Sequence, residues 1–340
     1  MFDLISNVSY WYPETGGFPT FKKNDLRMGK MQSRCRCLTG TRKPDGQNAV
    51  SLHALSESVE AQAVSLRGCQ SSKQLTKFED MKLTEDRSDD WPPLFNKREI
   101  QDMVHGSISL FHPLERIIDT REFQRLREIK QLGVTYLVYP CSTHSRFVHS
   151  LGTYWLAFKF VEILKRDSSL NITGQDHLCV SLAALCHDLG HGPFSHLFDG
   201  AFREAAGVPE YTHESLSIQL LRRIVNENEI REALERYLGR GDEFQKNITF
   251  AEELISSQKF DANGTWLPRG RPVEKAFLYD IVANNNDSCD VDKFDYLIRD
   301  SLSAGIPIPF SQRSVERLME NAKVLPDPHR GFPRICYAKK

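Results

Sequence analysis

The chain has 340 residues, a formal net charge of −1 from 44 basic and 45 acidic side chains, and 40% hydrophobic against 26% charged residues. This composition fits a folded globular protein of one large or two small domains. No apolar run reaches the ~18 residues that a membrane helix needs, which excludes a helical membrane protein, and the N-terminus lacks the basic-then-apolar pattern of a secretion signal.

Residues 1–91 are rich in Ser, Gly, Thr, Gln and Lys, with only a weak apolar stretch at Val50–Val64, and are predicted to be mostly disordered. Between Lys22 and Lys43 eight basic residues face a single acid, Asp25. Such a run is first a solvated tail, and second a nuclear-import or single-stranded nucleic-acid contact. Eight scattered cysteines, at 35, 37, 69, 141, 179, 186, 289 and 336, form no zinc-knuckle spacing, and Cys179 and Cys186 sit in an apolar run. They point to a reducing intracellular compartment, nucleus or cytoplasm.

From residue 92 onward the pattern is helical, and the expectation is an all-α domain over 92–340 with minor β content. Phe123, Leu126 and Ile129 predict a helix over Arg121–Leu132. Phe147, Leu151, Trp155, Phe158 and Leu164 predict another over Ser145–Lys165. Asp176 is the expected cap of an almost wholly apolar helix running to Cys186, placed at the centre of the domain. Pro193 suits the first turn of a short helix carrying His196, and Thr212 suits the cap of a helix starting at His213. Further helices are expected at 229–238, 249–257, 274–284 and 292–303. Short strands are expected at Thr135–Tyr139 and Arg334–Tyr337, the latter with an exposed edge.

Chemistry concentrates in His187-Asp-Leu-Gly-His-Gly-Pro-Phe-Ser-His196, where three histidines and an aspartate follow a buried helix. Gly190 and Gly192 are expected to supply the unusual backbone that turns these side chains inward. Arg146 and His149 lie three apart on one helical face, an imidazole beside a guanidinium. Asp292 opens a later helix, where a carboxylate can be either a ligand or an ordinary cap. Two imidazoles and two carboxylates leave open positions on Mn²⁺, Fe²⁺, Zn²⁺ or Mg²⁺, as a hydrolytic centre requires.

His149, His187-Asp188 and Asp292 match the H…HD…D pattern of the HD-domain phosphohydrolases. Phe123-Gln-Arg-Leu-Arg127, Arg146-Phe-Val-His-Ser-Leu-Gly152, Cys186–His196 and Asp290-Val-Asp-Lys-Phe-Asp-Tyr296 resemble more closely the vertebrate deoxynucleoside triphosphate (dNTP) triphosphohydrolases that carry SAM and HD domains. The resemblance implies hydrolysis of dNTPs to deoxynucleoside and inorganic triphosphate, with a role in dNTP-pool control and antiviral restriction. It implies His149, His187, Asp188 and Asp292 as metal ligands. His196 is implied as the proton donor, oriented by Asp292, with His191 and His213 beside the phosphates and Arg146 and Lys293 neutralising the triphosphate. Gln131 and Asp300 would bind the 3′ hydroxyl, and Tyr296 would pack where a ribose 2′ hydroxyl clashes. Asp119, Gln124 and Arg127 match guanine-reading positions of a regulatory site for GTP or dNTP, which in the family drives assembly of a tetramer; Arg98-Glu-Ile-Gln101 and Ser107 depart from the family pattern nearby. The same comparison predicts no SAM domain in the first 90 residues and an HD domain shortened at its C-terminus. A short form of this kind is expected either to act as the enzyme or to be a catalytically weak nucleotide- or nucleic-acid-binding partner.

Overall fold

A computed structural model describes residues 91–337, apart from 94–95, 208–210, 257 and 262–264, within a compact unit spanning Asp86–Lys340. The predicted disordered segment, its basic Lys22–Lys43 run, the SAM question and Cys35, Cys37 and Cys69 lie outside the described residues. What is described is mostly helical, with two separate two-stranded sheets. Among the described residues no helix is long and apolar enough to cross a membrane.

The first sheet is an antiparallel hairpin of β1 (Lys97–Asp102) and β2 (Gly106–Phe111), paired from Lys97↔Phe111 to Asp102↔Gly106. Neither strand was predicted: β1 is polar, and β2 offers only Ile108 and Leu110 as alternating apolar residues, with Ser109 buried between them. Short helices α1 (Leu114–Ile118) and α2 (Arg121–Gln124) follow. The helix predicted over Arg121–Leu132 breaks after Gln124 into a single 3₁₀ turn, Arg125–Arg127. Phe123, Leu126 and Ile129 are nonetheless buried, so their apolar period marks the core rather than a continuous helix. Thr135–Leu137 is another 3₁₀ turn and not a strand; Leu137 and Val138 are exposed and meet no strand partner.

The centre is α3 (Arg146–Leu164) against α4 (Gly174–Cys186), both as predicted within a few residues. Every α4 residue from Asp176 to Cys186 is buried. Enclosing Leu178, Leu182 and Leu185 contributes roughly 1.5–3 kcal/mol each. The cap is Thr173, not Asp176: Thr173 accepts from Asp176 N while the Asp176 carboxylate accepts from Thr173 N in a capping box. Asp176 also takes Arg271 and Lys275.

Helices α5 (His213–Val225), α6 (Asn228–Leu238) and α7 (Asp242–Ile255) pack around this pair, and Thr212 caps α5 as expected. Residues 273–280 form a 3₁₀ segment in place of the predicted α-helix. Then come α8 (Val291–Ala304) and α9 (Gln312–Glu320), the latter unpredicted although Ser311 caps it and Val315 and Met319 bury one stripe. The strand expected near Arg334 exists as β4 (Pro333–Tyr337), but its edge is covered by β3 (Ala322–Pro326). Arg334 is buried on Asp280, fastening this hairpin to the domain.

Candidate functional site

Three elements bring the predicted ligands together. His149 stands on the first turn of α3, His187 ends α4, and Asp292 is the second residue of α8. Asp292 is not the cap: Asp290 accepts from Lys293 N in that role, which frees the Asp292 carboxylate to turn inward. Its Oδ1 lies 2.9 Å from His149 Nε2 and 3.4 Å from His187 Nε2. One ligand atom from each of the three residues lies within 4.8 Å of the others. Asp188 closes the group, 3.5 Å from the Nε2 of both histidines.

The protonation pattern suits a cation. His187 Nδ1 sits 2.8 Å from the Ala184 carbonyl, which can only accept, so Nδ1 carries a hydrogen and Nε2 is the atom left to face the carboxylates. The Nε2 atoms of His149 and His187 are buried and make no well-aligned hydrogen bond. Burial alone would lower the pKa of His149, but Asp292 and Asp295 reverse this and raise it to about 10. Burial would raise the Asp188 carboxyl, yet Arg146 and the surrounding histidines hold it well below the usual carboxylate range. A divalent ion would take the place of the protons that these imidazoles hold against the carboxylates, with the Nε2 atoms and carboxylate oxygens as its ligands.

Arg146 is 3% exposed and donates from Nη1 to Asp188 and from Nε to Ser195 Oγ at 2.8 Å. Ser195 in turn donates to the Lys130 carbonyl at 2.8 Å. The loop after His191 holds two consecutive left-handed residues, Phe194 (φ 64°) and Ser195 (φ 54°). Each costs roughly 1–2 kcal/mol, offset by the bonds that pin Ser195. Neither Gly190 nor Gly192 has a positive φ, contrary to expectation. Gly190 instead permits contact: a Cβ there would lie 2.1 Å from the His213 carbonyl.

A second group follows. His191 Nδ1 is 2.7 Å from Asp199 Oδ2, and its Nε2 is 3.4 Å from Asp188 Oδ1. The His191 and His213 rings stack at 4.0 Å and 15°, with His196 edge-on to both. His196 therefore groups with His191, Asp199 and His213, where the sequence analysis paired it with Asp292. One ligand-type atom from each of these four residues lies within 4.8 Å of the others, but the near-parallel rings of His191 and His213 keep their lone pairs in separate parallel planes. Burial and nearby Arg146 hold the pKa of His191 well below its ordinary value.

The predicted sugar residues are linked through a histidine the sequence analysis overlooked. Gln131 N donates to the His144 carbonyl at 3.0 Å, and His144 Nε2 lies 2.6 Å from Asp300 Oδ1. The buried Gln131 Oε1 has no partner. Lys293 and Tyr296 are half-buried on α8. Of the guanine-reading positions, Asp119 lines a cleft of about 550 Å³ with Arg116, Thr120 and Asn228. Arg98 donates to both its oxygens at 2.8 Å. Gln124 accepts from Arg127 at 2.7 Å, and Arg127 lies 3.6 Å over the Phe147 ring. His144 and Asp199 gave no local signal, and Asp295, although inside the Asp290–Tyr296 motif, was assigned no role; the partner of each is set by the tertiary fold.

The HD domain family matches residues 146–297, the span that holds all four predicted ligands. The chain is 47% identical over 242 residues to the deoxynucleoside triphosphate triphosphohydrolase SAMHD1 of Gallus gallus, covering 70% of this chain and 36% of that protein. It is 46% identical over 233 residues to the SAMHD1 of Bos taurus, covering 66% and 38%. With the SAMHD1 homolog of Dictyostelium discoideum it shares 38% over 257 residues, covering 75% and 44%. It thus spans well under half the length of these relatives. The chain is an HD-domain protein, of the family to which the SAMHD1 triphosphohydrolases belong.

Proposed function

We propose that this protein hydrolyses deoxynucleoside triphosphates to deoxynucleoside and inorganic triphosphate at the His149–His187–Asp188–Asp292 centre. The observation that carries the reading is the convergence of two buried imidazole nitrogens with Asp292 and Asp188, beside a second group of His191, His196 and His213. A divalent ion held by these four residues, Mn²⁺, Fe²⁺, Zn²⁺ or Mg²⁺, would supply Lewis-acid polarisation of a phosphoryl oxygen. Arg146 fixes Asp188 and adds positive charge where a triphosphate must be neutralised. His191, His196 and His213 face the phosphates, with Lys293 at the rim. His191 is neutral at rest; the negative charge of a bound triphosphate raises its pKa and readies it, with His196, to give a proton to the leaving 5′ oxygen.

Gln131 and Asp300, joined through His144, are proposed to bind the 3′ hydroxyl, and Tyr296 to exclude a 2′ hydroxyl. Regulation by a guanine nucleotide at Asp119 is supported by the adjoining cleft, and the base would have to share or displace Arg98 there. Assembly into a tetramer belongs to the same reading.

Incubation of the purified chain with dGTP and Mn²⁺ or Mg²⁺, with and without GTP, is expected to release inorganic triphosphate. Release no greater than that of a His187→Ala/Asp188→Ala control overturns the proposal.

A further inference from the structure

Behind the metal centre lies a buried charge network that the reaction scheme leaves unused. Asp295, on α8 one turn beyond Asp292, is fully buried. Its Oδ2 is 2.7 Å from His149 Nδ1 and accepts from Arg299 Nε at 2.8 Å. Its Oδ1 is 2.6 Å from His105 Nε2 and accepts from Arg299 Nη2 at 2.9 Å. Arg299, itself 1% exposed, donates onward to Asp102 Oδ2 at 2.9 Å and Oδ1 at 3.2 Å. Asp102 ends β1, and its Oδ1 also accepts from Val104 N and His105 N, shaping the turn of the β1–β2 hairpin.

Arg299, always charged, donates to both Asp295 oxygens, so Asp295 sits as a carboxylate that can only accept. The His149–Asp295 contact therefore places a hydrogen on Nδ1 and leaves Nε2 as the ring atom that faces Asp292. A Cβ at residue 152 would stand 2.0 Å from Asp295 Oδ1 and 2.5 Å from Arg299 Nη2, so only glycine on α3 admits the network.

We propose that Asp295 is a positioning residue that fixes the tautomer and direction of His149, and that Arg299 ties this orientation to Asp102 and so to the hairpin turn. This rests on the reading of His149 as a metal ligand. A carboxylate behind a ligating imidazole raises its basicity and locks its plane, and losing one typically costs 10–100-fold in metal affinity. The hairpin, 190 positions from Asp295 in sequence, thereby becomes part of the metal centre without touching the ion.

The test is Co²⁺ titration of the full chain, read by visible absorption, together with the imidazole ¹⁵N shifts of His149. Asp295→Asn is expected to weaken Co²⁺ binding about 10–100-fold, to alter the absorption bands and to disturb the Nδ1–H tautomer. Asp102→Asn is expected to act in the same direction by about threefold, because the pairing of Arg299 is weakened, not lost. His149→Ala should lose binding. Wild-type affinity and tautomer in both Asn variants, with binding lost in His149→Ala, overturns the proposal alone. Unchanged binding in His149→Ala overturns the metal-centre reading and the proposal with it. If Asp295→Asn shows no cooperative melting, Asp102→Asn decides.

Discussion

Two histidine groups lie side by side around Asp188, and they differ in geometry more than in composition. In the first, His149 and His187 each spend Nδ1 on a fixed acceptor and turn Nε2 toward Asp292. In the second, His191 and His213 stack and His191 is tied to Asp199. The contrast shows that a cluster of ligand-type residues is defined by where its lone pairs point. In the proposed function the first group holds a point charge and the second lines the path of an extended one.

The largest expected effect follows from removing a member of the first group. His149→Ala should weaken Co²⁺ binding by more than about 100-fold and reduce triphosphate release to background. His213→Ala tests the other side: turnover should fall about 100-fold while Co²⁺ affinity stays within about twofold. Equal loss of metal affinity in both variants would erase the distinction between the groups. Gly190→Ala should act between them. The new methyl meets the His213 carbonyl, so urea denaturation should show a loss of about 1–3 kcal/mol, with His213 displaced and metal binding retained.

The smallest effect comes from a histidine outside both groups. His177 is fully buried between Trp91 and Phe158, and burial lowers its pKa against the opposing pull of Glu162. The unfolded chain takes up a proton near pH 6.5 that the folded chain resists. Stability is therefore complete above about pH 6.5 and declines as pH falls toward the folded-state value. His177→Phe should lessen the fall in melting temperature between pH 7.5 and 5.5, by an amount equivalent to about 1 kcal/mol. An identical fall in the variant would assign the acid sensitivity to the metal-centre groups.

The long helices were legible because their signals are local. Thr212 capping α5 and the unbroken apolar face of α4 needed only neighbouring residues. The meeting of His149, His187, Asp188 and Asp292 was legible too, as HD-type spacing and family resemblance. What escaped depended on distant partners. Whether Asp290, Asp292 or Asp295 caps, joins that group or backs His149 is a question of helix rotation, which α3 settles from across the core. The break after Gln124 is of the same kind: Arg125 turns its guanidinium to the Leu189 and His191 carbonyls, contacts that no local period announces. β1 carries few apolar residues and was invisible until paired with β2.

Asp176 lies in the first turn of the helix that ends in His187, and its charge is met by Arg271 and Lys275, 95 and 99 positions later. During synthesis that carboxylate leaves the ribosome long before either cation exists. Until they arrive, α4 must bury an uncompensated charge or keep its first turn in water, and either choice holds the central helix back from its final seat. The residues that neutralise Asp176 thus emerge only shortly before Asp292, the last of the four residues of the candidate centre.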